Sequence, residues 1–148
     1  MIVKYFIHLN LIVLQLIYTS TFSALNWNDT TGTVDKYDPS SMLYTDNVSF
    51  TLDANAVYKI NLIITVPSSS SQQLTLELAY NSTITGTYTG LARYVEYTAP
   101  NSSTGNVSIN GFWIYNTATL SSKCLQILFK ASVTQVIQDG SIFIERIK

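Results

Sequence analysis

The stretch Tyr58-Lys59-Ile60-Asn61-Leu62-Ile63-Ile64-Thr65-Val66-Pro67 decides the fold class. Large apolar residues stand at 58, 60, 62, 64 and 66, the period of two that puts one face of a β-strand into a core. Pro67 and the serines of 68–71 end it, because proline cannot donate to a sheet ladder. Outward from this strand the pattern recurs. Val48-Ser49-Phe50-Thr51-Leu52 alternates before it, and Leu74, Leu76, Leu78 and Tyr80 alternate after it. Leu91–Tyr97, Val107–Tyr115, Cys124–Ala131 and Ser141–Ile147 are further strands, separated by turn residues at Asn81-Ser82, Thr85-Gly86, Pro100–Gly105 and Asp139-Gly140. No long segment repeats apolar residues at three- and four-residue spacing. The expectation is an all-β, antiparallel β-sandwich in one domain.

The ends of the chain bear on location. Residues 1–23 carry Lys4, an apolar run of about 14 residues from Tyr5 to Tyr18, and small residues at Thr19, Ser20, Thr21 and Ser23. That is the anatomy of a secretory signal peptide, with cleavage expected after Ser23. The run is short of the ~20 apolar residues a spanning helix needs and is interrupted by His8, Asn10 and Gln15. The end Glu145-Arg146-Ile147-Lys148 is too charged for a lipid-anchor tail. Residues 24–148 are thus expected to form a secreted, extracellular domain with no membrane span, opening on an irregular segment, 24–45, with one short strand. Export gives meaning to five Asn-x-Ser/Thr triplets, at Asn28, Asn47, Asn81, Asn101 and Asn106, as N-glycosylation acceptors.

Composition excludes more chemistry than it assigns. The chain has 148 residues, 47% hydrophobic and 11% charged, enough apolar content for a core. A net charge of −1 lacks the basic footprint of a nucleic-acid binder. The one histidine, His8, lies in the leader, so residues 24–148 hold neither a histidine-based catalytic triad nor a histidine metal site. The carboxylates of Asp53, Glu77, Glu96 and Asp139 are not paired by any spacing, and no enzyme activity, cofactor or metal site is expected. Asp29, Asp35, Asp38 and Asp46 supply oxygen donors for calcium, but in no known loop spacing; solvated loops account for them more simply. The single cysteine, Cys124, reads as a small buried hydrophobe, with an intermolecular disulfide as the alternative.

Two surfaces remain. Tyr88, Tyr94 and Tyr97, with Trp113 and Tyr115, form a candidate ligand face, because flat rings pack on the apolar side of a sugar. Several strands are apolar on both parities, and a sandwich needs only one. The surplus residues Ile63, Phe112, Ile114, Leu128, Phe143 and Ile147 are therefore the candidate interface of a homo-oligomer.

The order of segments resembles a known superfamily. Trp27 leads to Tyr37-Asp38-Pro39-Ser40-Ser41, a strand at Val48–Leu52, then Asp53-Ala54-Asn55-Ala56-Val57-Tyr58 opening a long strand. Thr119-Leu120 and Leu125-Gln126-Ile127 precede Val133–Ile137, and Asp139-Gly140-Ser141-Ile142-Phe143-Ile144-Glu145-Arg146-Ile147 closes the chain. Over residues 26–148 this is similar to the complement/tumour-necrosis-factor-like jelly rolls. The resemblance implies a jelly roll and a three-fold assembly built on the second apolar face. Calcium ligands and receptor-contact residues of that superfamily have no matching positions here. The function expected is a non-catalytic secreted module for extracellular binding or assembly, its partner a protein or a glycan. A carbohydrate-binding or structural matrix glycoprotein is the alternative.

Overall fold

The computed structural model describes residues 6–11, 15–17, 21–27, 35–67, 72–98, 105–117, 123–132 and 135–148. Twelve strands run along them in chain order: β1 (Phe6–Leu11), β2 (Gln15–Ile17), β3 (Ser23–Ala24), β4 (Asp35–Tyr37), β5 (Phe50–Leu52), β6 (Val57–Pro67), β7 (Gln73–Asn81), β8 (Thr89–Thr98), β9 (Asn106–Asn116), β10 (Lys123–Ala131), β11 (Gln135–Ile137) and β12 (Asp139–Arg146). No helix occurs among the described residues. Two antiparallel sheets face each other. One has the order β4-β1-β12-β6-β9; the other has the order β3-β10-β7-β8, with β5 also on β10. β2 and β11 pair separately. This is an all-β sandwich of the expected class.

Burial follows the period-two reading. Along β6 the residues at 58, 60, 62, 64 and 66 are buried, and β7 buries Leu74, Leu76 and Leu78. β9 buries 109, 111, 113 and 115 and exposes 106, 108, 110, 112, 114 and 116. The core joins Ile60, Leu62, Ile64, Ile142 and Ile144 of one sheet to Leu74, Leu76, Ile127 and Phe129 of the other. Trp27 fills one end, with its ring edge against Phe50 at 6.3 Å between centroids. Gly111 has no alternative on the inner face, since the Trp113 indole lies where its Cβ would stand.

Two turns are held by side chains that pattern reading does not reveal. The Thr117 hydroxyl, buried, donates to the Asp53 carbonyl at 2.7 Å and accepts from Ala56 N at 2.9 Å, clamping the β5–β6 turn where Asn55 takes φ 54°. The Asp38 carboxylate accepts from Met42 N and Leu43 N.

The opening of the chain contributes strands to both sheets. β1 lies within the span assigned to a leader, yet in the full chain it is an inner strand. It pairs with β12 from Phe6↔Glu145 to Leu11↔Gly140 and with β4 on its other side. Ile7 and Leu9 are fully buried in the core. The boundary at residue 23 also falls inside β3, which pairs with Leu128 and Phe129 of β10. The opening segment 24–45 contributes Ala24 of β3 and the short strand β4.

Candidate functional site

The outward-facing side of the β4-β1-β12-β6-β9 sheet is where the surplus apolar residues collect. In β9 the even positions face out, and register sets them beside the odd positions of β6: Asn110 opposite Ile63, Phe112 opposite Asn61, Ile114 opposite Lys59. Directly opposite residues and their diagonal neighbours share one surface, so Ile63, Phe112 and Ile114 are contiguous. Phe112 is 59% exposed, Ile63 49% and Ile114 39%. β12 adds Phe143, opposite Asn61 and half-buried. Its ring lies 5.8 Å from Lys59 Nζ, which also pairs with Glu145 at 2.9 Å. Ile147, 51% exposed, follows the strand beside Val57, to whose carbonyl its N–H donates.

Five of the six interface candidates thus share one side. Leu128 does not. It stands on β10 opposite Glu77, on the outside of the other sheet, among Thr75, Gln126 and Lys130. There the polar side chains dominate, and Lys130 Nζ covers the Phe22 ring at 4.8 Å.

Of the three candidate ligand tyrosines, the side chains of Tyr94 and Tyr97 are outside the described ones. The Tyr88 hydroxyl donates to Ser49 Oγ at 3.1 Å and is partly buried; burial raises its pKa above the ordinary phenol value. Tyr94 registers with Glu77 and Tyr97 with Leu74, positions of opposite parity on β7. Trp113 and Tyr115 are core residues.

Sequence reasoning missed the cluster around Ser49. This fully buried hydroxyl donates to Asp46 Oδ2 at 2.7 Å and accepts from Gln126 Nε2 at 2.9 Å, besides Tyr88. Asp46 also accepts from the N–H groups of Val48 and Ser49. Partial burial works against ionisation there, but these hydrogen bonds outweigh it and hold the carboxyl below its usual value. Burial raises the Cys124 thiol, which keeps it protonated and unreactive at neutral pH. Residues 39 and 77 positions from Ser49 complete the cluster, so no local motif could announce it. It is a network joining the turn before β5 to β10.

Of the four aspartates weighed as calcium ligands, Asp38 and Asp46 are spent on backbone N–H groups, Asp35 is in β4, and Asp29 lies outside the described residues. Among the described residues no three metal-ligating side chains gather. A cavity of about 110 Å³ lined by Ser40, Met42, Thr51, Leu52, Asp53 and Tyr58 is well below the size of an ordinary ligand site. No helix among the described residues is long and apolar enough to cross a membrane.

Of the five acceptor triplets, Asn28 and Asn101 lie outside the described residues. Asn47 sits in a turn at φ 57°, and its triplet partner is the buried Ser49. Asn81 closes β7, its Nδ2 packed on Gly86 and its Oδ1 accepting from Ser82 N. Asn106 opens β9 and is exposed.

No family profile matches the chain, and no curated protein matches it. Solved structures do. The Eiger TNF of S. frugiperda superposes with a TM-score of 0.65 at 8% identity, covering 98% of this chain and 93% of that one. The CBM22-1–GH10 modules of the Clostridium thermocellum endo-1,4-beta-D-xylanase 10B give a TM-score of 0.40 at 15% identity, over 95% of this chain and 26% of that one. The span of 98% takes in β1. With its two facing antiparallel sheets and that nearly complete superposition, the chain has the jelly-roll fold of the tumour-necrosis-factor-like proteins.

Proposed function

We propose that this protein is a secreted, N-glycosylated, non-catalytic jelly-roll module that works by association through the outer face of its β4-β1-β12-β6-β9 sheet, as a homo-oligomer and most simply a trimer. The observation that carries this is the contiguous, exposed set Ile63, Phe112 and Ile114. Soluble monomers rarely leave such residues together, and an apolar face of this kind is covered by a partner. A second copy fits the chemistry, because Ile63, Phe112 and Ile114 carry no charge and the neighbouring Lys59 and Glu145 already pair with each other. Dimers are the commonest oligomers. The choice of three copies follows the resemblance, since those jelly rolls pack this face around a three-fold axis. The extracellular partner that such an assembly would engage is a protein or a glycan.

Light scattering on the purified protein tests the reading. A particle of three chains that Ile114→Asp converts to folded monomers is the expected result. A wild-type monomer at micromolar concentration overturns it. Export is tested by sequencing the N-terminus of protein recovered from the medium. A start at Ala24 supports leader cleavage, and such a product lacks β1.

A further inference from the structure

The interior place of β1 gives cleavage of the leader a structural consequence. β1 lies between β12 and β4, in register with β12 from Phe6↔Glu145 to Leu11↔Gly140. Ile7 and Leu9 stand opposite Ile144 and Ile142, and all four are fully buried. β4 pairs with β1 and with no other described strand. Withdrawing residues 1–23 therefore does more than trim an edge. It opens a slot one strand wide beside β12 and empties the space next to Ile142 and Ile144. Alternate residues of Gly140–Glu145 then turn their backbone N–H and C=O groups toward the gap. Such groups must find partners, and a row of them is a template for another strand.

We infer that, in the product starting at Ala24, this slot is a binding site for an extended segment of another polypeptide, laid antiparallel to β12. β1 itself defines the chemistry. The segment is six residues long, about 20 Å at ~3.3 Å per residue, with large aliphatic residues at its second and fourth positions. Main-chain hydrogen bonds to β12 supply affinity, and the two inward side chains supply selectivity. A second copy has no such segment to spare. Within 24–148, the described runs with large apolar residues at alternate positions are already built into the core. The stretches 28–34, 68–71, 99–104, 118–122 and 133–134 contain no run of that kind. The partner is therefore a different chain. Its strand lies in the plane of the sheet, with β12 between it and β6, so Ile63, Phe112 and Ile114 stay open to association.

This inference rests on the leader cleavage proposed above, and the experiment separates the two. A site-specific protease sequence is inserted between Thr19 and Ser20 of the full chain, which folds with β1 in place and is then cut. The probe is a fluorescent peptide of residues 4–12 with a lysine tail, added in excess and followed by anisotropy and gel filtration. Expected are saturable uptake by the cut chain, none by the uncut chain, and uptake at least about tenfold weaker when the peptide carries Ile7→Asp. A cut fragment that stays bound against the excess peptide supports the inference as well, since it is a strand held without a covalent link. A cut chain that releases the fragment and takes up no peptide, folded or not, overturns it. So does equal uptake of the Ile7→Asp peptide. N-terminal sequencing of protein from the medium decides the leader separately. A start at Met1 overturns leader cleavage and with it the slot's opening in the exported protein, while peptide uptake by the cut chain would still stand.

Discussion

The two sheets share one core but present different outer surfaces. Outside β6, β9 and β12 stand Ile63, Phe112, Ile114 and the half-buried Phe143; outside β7 and β10 stand Thr75, Glu77, Gln126 and Lys130, with Leu128 alone among them. The sheets also differ in how they are completed. The first needs a strand from the extreme N-terminus in its interior, while the second borrows from that region only the two residues of β3 at its edge. One sheet is therefore both the apolar surface and the one most exposed to N-terminal processing. The other is closed by Phe50, Leu125 and the Ser49 network.

The largest expected effect breaks this contrast at its root. A chain of residues 24–148 loses Ile7 and Leu9 from the core, each burial contributing about 1.5–3 kcal/mol, before the ladders to β12 and β4 are counted. Its denaturant midpoint should fall well below that of the full chain. Equal midpoints would show that the first sheet closes without β1.

Next is a matched pair of surface changes. Phe112→Asp should disperse the oligomer in sedimentation, and Leu128→Asp should leave it intact, since the two lie outside different sheets. The reverse result would move the interface to β7–β10.

A pair of glycines sharpens the contrast on a smaller scale. Gly111→Ala drives a methyl into the buried Trp113 ring and should cost about 1–3 kcal/mol, with a shift in tryptophan fluorescence. Gly90→Ala meets only the Glu77 carboxylate, the end of a flexible and partly exposed side chain that can swing aside, so thermal unfolding should register much less.

The smallest effect concerns acid. The Asp46 carboxyl sits below its ordinary value in the folded protein, so its contribution is present above the unfolded pKa near 3.8 and is lost as pH falls through the lower folded value. Asp46→Ala should reduce stability at neutral pH by about 1 kcal/mol, as for a lost cap, and should flatten the fall in stability below about pH 4. An acid limb as steep as that of wild type would assign the loss to other carboxylates.

The strands were legible in the chain because alternation is local. Tyr58–Val66, Leu74–Tyr80 and Val107–Tyr115 each state their own period, and Pro67 and the Asp139-Gly140 turn mark their ends. The all-β class and the surplus of apolar side chains both follow from that. Tertiary structure decided which parity faces inward, because a strand that is apolar on both sides satisfies its own pattern either way, and only the opposing sheet breaks the tie. That is why Trp113 is core and Phe112 surface, and why Leu128 parted from the other five interface candidates. The Ser49 network and the Thr117 clamp join residues 39 to 77 positions apart, beyond any local signal. The run from Tyr5 to Tyr18 shows the limit most directly. A short apolar stretch meets the physical needs of a signal peptide and of a buried strand equally well, since both only require removal from water. The place of β1 between β12 and β4 is written in the partners, not in the run.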